Sequence, residues 1–155
     1  MKTLVVYYSR TGNTRKVAER IAAELKASVE ELKEGEDRQG IAGYLKSGFD
    51  AMRKKTVNLS PPAFDPGEFD MVILGTPVWA FTMVPAMRAY LEQNRGKFRD
   101  IAFFCTMGGS GQRRTFREMR KITGRTPQAT LAITETDVKK DAFGPGLSDF
   151  ISKFM

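Results

Sequence analysis

Short apolar runs alternate with amphipathic segments along the chain, and this alternation is the feature that most limits its fold. Four runs are rich in apolar, largely β-branched or aromatic residues and predict strands over 2–8, 69–74, 100–106 and 129–134, and a fifth, weaker run predicts a short strand over 28–33. The strong runs are apolar at nearly every position, which is typical of strands buried on both faces. Strands of this kind form parallel sheets that are covered by helices on both sides.

The intervening segments show helical spacing of their apolar residues. We predict helices over 13–26, 41–55, 84–94, 113–123 and 147–154. In the first of these, Val17, Ile21 and Leu25 recur every four residues, and charges cover the opposite face. The chain is therefore predicted to form one α/β domain over residues 1–155, a doubly wound three-layer sandwich around a five-stranded parallel sheet. The weak run 28–33 is expected near an edge of that sheet.

Two residue counts exclude whole classes of chemistry. The 155 residues include no histidine and one cysteine, Cys105. Without histidine, Ser-His-Asp and Cys-His nucleophilic sites and His-ligated zinc are excluded. With a single cysteine, internal disulfides, CxxC pairs and iron–sulfur clusters are excluded as well. A redox function would therefore need a bound organic cofactor, and no catalytic or metal-binding residue is predicted.

The apolar runs are also short, and the charge is strongly positive. No run approaches the ~20 residues that cross a bilayer, and residues 4–8 are too few for a signal peptide, so a cytoplasmic protein is expected. The net charge of +7 favours anionic partners without choosing among them. The basic helix around 113–125 either contacts an anionic surface or is simply a solvated face. No recognition motif appears, so no specific nucleic-acid binding is predicted.

The segment SRTGNT, residues 9–14, joins the first predicted strand directly to the first helix. It offers three hydroxyls, one amide side chain and a glycine, and helix N-terminal N–H groups favour an anion. It lacks the lysine of a GxxxxGK[ST] loop and the pattern of a GxGxxG loop, which disfavours a nucleoside triphosphate or a dinucleotide. These features suit a phosphate monoester, although the same residues could simply cap the helix.

Two further loops follow strands. Residues 75–83, GTPVWAFTM, hold the only tryptophan, Trp79, which could stack on a flat ring or lie under the loop as ordinary packing. Residues 106–112, TMGGSGQ, are rich in glycine and allow either close approach of a ligand to the backbone or a flexible turn. With the strand order 2-1-3-4-5, all three loops would be neighbours at the switch point where such sheets bind ligands. Together they suit a planar cofactor with one phosphate, flavin mononucleotide (FMN).

The chain resembles the flavodoxin family over essentially its whole length. SRTGNT matches the family's [ST]-x-T-G-x-T phosphate loop, while GTPVW and FFCTMGG resemble its two ring-binding loops. The resemblance implies FMN and electron transfer to a redox partner protein or a small quinone-like acceptor. It places the phosphate on Ser9, Arg10, Thr11, Gly12, Asn13 and Thr14. It places the ring between Thr76, Pro77, Val78, Trp79, Ala80 and Phe81 on one side and Thr106, Met107, Gly108 and Gly109 on the other.

This chain also differs from the usual flavodoxin pattern. It is basic where flavodoxins are usually acidic, it has Met107 and glycines where a tyrosine often stacks on the ring, and it has Ala80 where a glycine commonly follows the aromatic residue. Three functions remain open: an FMN electron carrier, an NAD(P)H- or quinol-linked FMN oxidoreductase of the quinone-reductase or protoporphyrinogen-oxidase type, and a binding module without flavin.

Overall fold

The computed structural model describes residues 1–34 and 57–155, so the helix predicted over 41–55 lies outside the described residues. In the described part, the strands are β1 (Thr3–Tyr7), β2 (Ser28–Glu31), β3 (Met71–Trp79), β4 (Thr82–Met83), β5 (Asp100–Met107) and β6 (Thr130–Thr134). The α-helices there are α1 (Asn13–Leu25), α2 (Pro85–Gln93), α3 (Gln112–Thr123), α4 (Glu135–Lys139) and α5 (Gly144–Ser152).

The main sheet is parallel and has the order β2-β1-β3-β5-β6. This is the predicted order 2-1-3-4-5, because β4 is a short extra strand that pairs antiparallel with β3. The edge position of β2 is confirmed as well. Tyr7 near the end of β1 is in register with Gly75, which in turn is in register with Phe104. The segments that follow β1, β3 and β5 therefore all leave the sheet on the side where its parallel strands have their carboxyl ends.

Alternate residues of the central strands pack on opposite faces, because successive side chains of a strand point in opposite directions. On one face, Leu74 and Phe103 lie in a buried cluster with residues of α2 and with Met119 of α3. On the other face, Ile73 and Phe104 lie in a second cluster with residues of α1 and α5. The predicted three-layer sandwich is thus confirmed, and the continuous apolar runs are explained by burial on both sides.

The largest difference from the prediction concerns residues 75–83, which we expected to be a loop. Strand β3 continues past Leu74 to Trp79, and the chain then turns back into β4. The two residues of the turn, Ala80 and Phe81, both have positive φ, 51° and 65°, as a two-residue type I′ turn requires. Such turns usually contain Asn-Gly or Asp-Gly, so the Ala-Phe sequence at this turn did not predict a hairpin.

Other differences are small. Strand β5 includes Thr106 and Met107, so the third predicted loop is shortened to residues 108–111. Helix α4 was not predicted, and its N-terminus is capped by the Thr134 hydroxyl, which accepts from the N–H of Asp137 at 3.2 Å. Helix α5 begins at Gly144 and ends at Ser152, whereas we predicted 147–154. Five residues are too few for α4 to show a helical period.

Candidate cofactor-binding site

The first predicted loop turns sharply between β1 and α1. Gly12 has a φ of 99°, and no atom lies within 4 Å of the place that a Cβ would take there. The hydroxyl oxygen of Ser9 accepts from the N–H of Gly12 at 3.1 Å and from the N–H of Arg15 at 3.2 Å. Ser9 therefore caps backbone groups, as the alternative interpretation of this loop expected, and it also fixes the loop's shape.

The first residues of α1 offer further donors. The N–H groups of Asn13 and Thr14 belong to the first helical turn, where no carbonyl of the helix itself can accept from them. Asn13 is half-buried and Thr11 is exposed. Thr14, in contrast, is buried, and its hydroxyl lies 2.8 Å from the hydroxyl of Thr106. This hydrogen bond joins the start of α1 to the end of β5, which holds the first and third predicted loops together.

Trp79 lies half-buried at the end of β3 and meets the first loop. Its ring contacts Tyr8 edge to face, with ring centroids 5.9 Å apart, and the guanidinium of Arg10 lies 5.2 Å from the indole centroid. Burial, followed by the negative charge of Glu34, raises the pKa of Tyr8 above its usual value. Tyr8 was not among the predicted site residues. The only feature of the sequence that could have identified it is its position between β1 and Ser9.

The other residues of the 76–81 segment differ in exposure. Thr76 and Pro77 are buried, and the Thr76 hydroxyl donates to the Pro77 carbonyl and accepts from the N–H of Val84. We define the hairpin as β3, the turn and β4. Thr76 and Pro77 hold its base through these hydrogen bonds. At the tip, Ala80 and Phe81 are exposed, and Phe81 is 58% accessible. Val78 is half-buried between base and tip.

The glycine-rich third loop leaves open space beside the end of β5. Met107 is buried, whereas Gly108 and Gly109 are exposed, and a Cβ on either glycine would meet no atom within 4 Å. Gly111 has a different role. Its φ is 108°, and a Cβ there would lie 2.7 Å from Val78 Cγ1. The third loop can therefore pack against the hairpin only because residue 111 has no side chain.

A network of polar side chains, which the sequence analysis did not predict, holds the hairpin against α2 and α3. Glu118 of α3 accepts a hydrogen bond from the hydroxyl of Thr82, one from Arg88 of α2 at 2.7 Å, and one from Arg114 at 3.3 Å. Arg88 also donates to the Thr82 hydroxyl at 3.2 Å. We call Thr82, Arg88 and Glu118 the hairpin clamp, because it ties β4 to two helices.

The clamp is largely sheltered from solvent. The side chains of Arg88 and Glu118 are 11% and 15% exposed. Burial by itself would raise the pKa of Glu118, but the hydrogen bonds from Thr82, Arg88 and Arg114 outweigh it and lower the pKa to about 2. Glu118 is therefore ionised near neutral pH.

The chemistry of the donors fits FMN. The three segments 9–14, 76–81 and 106–109 contain neutral donors and one arginine but no carboxylate, so nothing in them repels a phosphate dianion. The glycine positions leave room for a ligand, and the indole of Trp79 provides a flat apolar surface.

Among the described residues, no group of three or more carboxylate or thiol side chains could hold a metal ion. In the same residues, no helix is long and apolar enough to span a bilayer.

Comparisons with solved structures agree with this fold. A flavoprotein from Lactobacillus acidophilus, solved in complex with FMN, has a TM-score of 0.68 and 25% identity, covering 90% of this chain and 97% of that one. An archaeal flavodoxin has a TM-score of 0.58 at 18% identity and covers both chains fully. Oxidised flavodoxin 2 from Bacillus cereus has a TM-score of 0.55 at 21% identity, covering 99% of this chain and 100% of that one.

Sequence comparison gives the family directly. No curated protein matches the chain significantly. The family described as flavodoxin, however, matches residues 2–136, which is most of the chain. The match includes residues 9–14, the hairpin and the glycine-rich loop, and it extends to the start of α4. The chain therefore belongs to the flavodoxin family.

Proposed function

We propose that this chain binds FMN at the candidate site and transfers electrons between the flavin and a separate redox partner. One observation carries the proposal: three segments without carboxylates meet at the carboxyl edge of a flavodoxin-family sheet, with open space at Gly12, Gly108 and Gly109. The FMN complex of the flavoprotein from Lactobacillus acidophilus, 25% identical to this chain, supports the choice of cofactor.

The phosphate would be held at the N-terminus of α1. The N–H groups of Asn13 and Thr14 and the hydroxyl of Thr11 are the available neutral donors, and the partial positive charge of the helix N-terminus adds to them. Arg10 brings a full positive charge to the same loop, beside Trp79. Ser9 fixes the shape of the loop, because its hydroxyl oxygen accepts from two backbone N–H groups, and a hydroxyl that accepts can still donate its hydrogen to a phosphate oxygen.

The flavin ring would lie between the hairpin and the third loop. Trp79 offers a stacking surface there, and the exposed backbone of Gly108 and Gly109 allows close approach. Met107, the last residue of β5, is buried directly before Gly108. The bound flavin itself accepts and releases electrons, and the surrounding residues bind it, orient it and exclude water from one side.

A flavin titration tests the proposal. We expect the purified chain, or the chain mixed with FMN, to show bound flavin absorbance near ~450 nm, and FMN to bind more tightly than riboflavin, which lacks the phosphate. A Thr11→Val variant should lose part of that preference, whereas Thr126→Val, at an exposed threonine after α3, should keep it. Equal affinity for the two flavins, or no binding of either, would refute the proposed site.

One observation favours a second candidate, an NAD(P)H- or quinol-linked FMN oxidoreductase. A groove of about 680 Å³ lies beside the hairpin tip and is lined by Phe81, Ser110, Gly111, Gln112, Arg113 and Arg114. Its volume is in the range of small-ligand sites. Rapid NADPH consumption with a quinone, in the absence of any reductase, would favour this enzyme. Flavin reduction by light without NADPH turnover would favour the electron carrier.

A further inference from the structure

Helix α3 carries a row of exposed cations along one side. The row, which we call the basic face, consists of Arg113, Arg117, Arg120, Lys121 and Arg125, all exposed. Spacings of three and four residues put the helical members on the same side of α3, and Thr115, Met119 and Thr123 are buried on the opposite side. Within residues 1–34 and 57–155, no member of the basic face forms an ion pair with a carboxylate.

Helix stability does not account for this arrangement. Arg120 and Lys121 lie in the last turn of α3, where the negative end of the helix dipole favours cations. Arg113 lies in the first turn, where the same dipole disfavours a positive charge, and no acidic residue occurs in that turn. Because like charges on neighbouring turns repel each other, the row lowers the stability of the free chain. An anionic partner would remove that repulsion.

The basic face is too long and too open for one small ligand. Twelve helical residues extend over about 18 Å. Arg113 lines the groove at the hairpin tip, whereas the other four cations line a second groove of about 490 Å³ at the far end of α3. A ligand the size of a nucleotide would contact one groove only, while a protein surface with several carboxylates would contact both.

The basic face begins at the candidate cofactor site. Gly111, directly before α3, packs against Val78 of the hairpin, and the groove that Arg113 lines also contains Phe81. Phe81 is 58% exposed, which makes it an apolar side chain next to a charged surface. Protein interfaces commonly have this composition, with an aromatic residue in the core and charged residues at the rim.

We infer that the basic face, together with Phe81, is the docking surface for an acidic redox protein. The inference rests on the proposed function, because it names the class of partner that exchanges electrons with the flavin. Each encounter moves one electron between the flavin and the partner's metal centre, so that one is oxidised as the other is reduced. Nucleic acid fits less well, because a single strand is held by several aromatic side chains on which successive bases stack, whereas Phe81 is the one aromatic residue that this surface exposes and Phe116 of α3 stacks on Phe103.

Two small haem proteins of opposite net charge and similar potential test the inference. The flavin-loaded chain is reduced with light and mixed with either ferric protein, whose haem takes one electron from the flavin. We expect the acidic haem protein to react about tenfold faster at low salt and to lose that advantage at high salt. A basic haem protein that reacts as fast or faster would overturn the inference.

Matched charge variants separate the basic face from net charge. The triple variant Arg113→Gln, Arg117→Gln, Arg120→Gln should lose most of the advantage of the acidic haem protein. The control triple Lys26→Gln, Arg95→Gln, Lys97→Gln removes the same charge from exposed residues in the connections before β2 and β5, at the opposite edge of the sheet. The control should keep most of the advantage. Equal losses in the two triples would overturn the inference.

Direct binding distinguishes failure of this inference from failure of the proposed function. Calorimetry of the flavin-free chain with the acidic haem protein should show binding that the first triple loses and the control keeps. If FMN loads and is reduced normally but this pattern is missing, the docking surface is wrong and the proposed function stands. If the chain binds no flavin, the proposed function fails. Tighter binding of random duplex DNA through the same arginines would reassign the surface to nucleic acid and overturn the inference.

Discussion

The substitution Glu118→Gln tests whether the hairpin clamp positions the candidate site. Glu118 is the acceptor that Thr82 of β4, Arg88 of α2 and Arg114 of α3 share. Glutamine has nearly the same shape and keeps one carbonyl acceptor, so the substitution removes the charge with little change in packing. The guanidinium of Arg88, whose side chain is only 11% exposed, would then lack its counter-charge.

The pKa of Glu118 gives the expected magnitude. A pKa of about 2 instead of the ordinary 4.5 corresponds to roughly 3 kcal/mol of stabilisation near neutral pH, at about 1.4 kcal/mol per pKa unit. Removing one partner of a fully buried ion pair costs roughly 3–5 kcal/mol. The remaining exposure of this pair and the carbonyl of the new glutamine both reduce the cost. We therefore expect Glu118→Gln to lower the free energy of unfolding by about 2 kcal/mol.

The effect has a defined pH dependence. The folded-state pKa of Glu118 is depressed, so its contribution is fully present above the ordinary pKa of 4.5 and is lost as the pH falls toward about 2. A protonated glutamic acid makes much the same contacts as a glutamine. The difference between wild type and variant should therefore be constant near neutrality and shrink between pH 4.5 and pH 2.

Urea unfolding followed by circular dichroism measures this difference at about pH 7 and again at about pH 3. The control is Glu92→Gln, at an exposed residue of α2, which should change stability by less than about 0.5 kcal/mol. FMN affinity should fall in the Glu118 variant at pH 7, because the hairpin that carries Trp79 loses its anchor. A stability difference below about 0.5 kcal/mol, or one that is the same at both pH values, would refute the reasoning.

Four further predictions concern the site itself. Trp79→Ala should weaken FMN binding by about 1–3 kcal/mol through lost stacking and burial, and an unchanged dissociation constant would remove Trp79 from the site. Gly111→Ala should destabilise the fold more than Gly124→Ala, because both have positive φ but only the first would collide with Val78; equal urea midpoint shifts would contradict this. Ala80→Gly should leave the fold unchanged or stabilise it by up to about 1 kcal/mol, because φ is 51° there, and a clear loss in a thermal melt would argue against the turn. The bound flavin should have a less negative reduction potential than in an acidic flavodoxin, because the positive charges of Arg10 and of the arginines of α3 favour the anionic reduced form; an equal or lower potential in a spectroelectrochemical titration would disprove this prediction.

The parallel sheet was predictable because its signal is local. Leu4–Val6 and Ile101–Cys105 are apolar at every position and fully or almost fully buried, and continuous apolar runs of that length have few other structural interpretations. The order of the strands followed from the flavodoxin-family resemblance and from the expectation that three unusual loops adjoin. The tight connection between β1 and α1 was predictable for the same reason, since a glycine between a buried strand and a helix is visible in the sequence, and phosphate binding there stays a prediction.

The hairpin was missed because its turn lacks the usual residues. We predicted a loop over residues 75–83, yet Pro77 pairs in register with Thr106 and the strand continues. The left-handed conformations of Ala80 and Phe81 are unfavourable for both residues by themselves. Tertiary contacts therefore hold the turn in this conformation, and the local sequence does not predict such contacts.

The contacts that hold the site together join residues far apart in the chain. Thr14 and Thr106 are 92 positions apart, and Thr82 and Glu118 are 36 apart. Each of these residues looks like an ordinary polar side chain of a helix or strand, so only the fold reveals the pairing. The same holds for Gly111 of the third loop, where a side chain would collide with Val78 of β3. The sequence therefore predicts which loops form the candidate site, while the arrangement of those loops depends on long-range polar contacts, and these are the positions where substitutions should separate flavin affinity from folding.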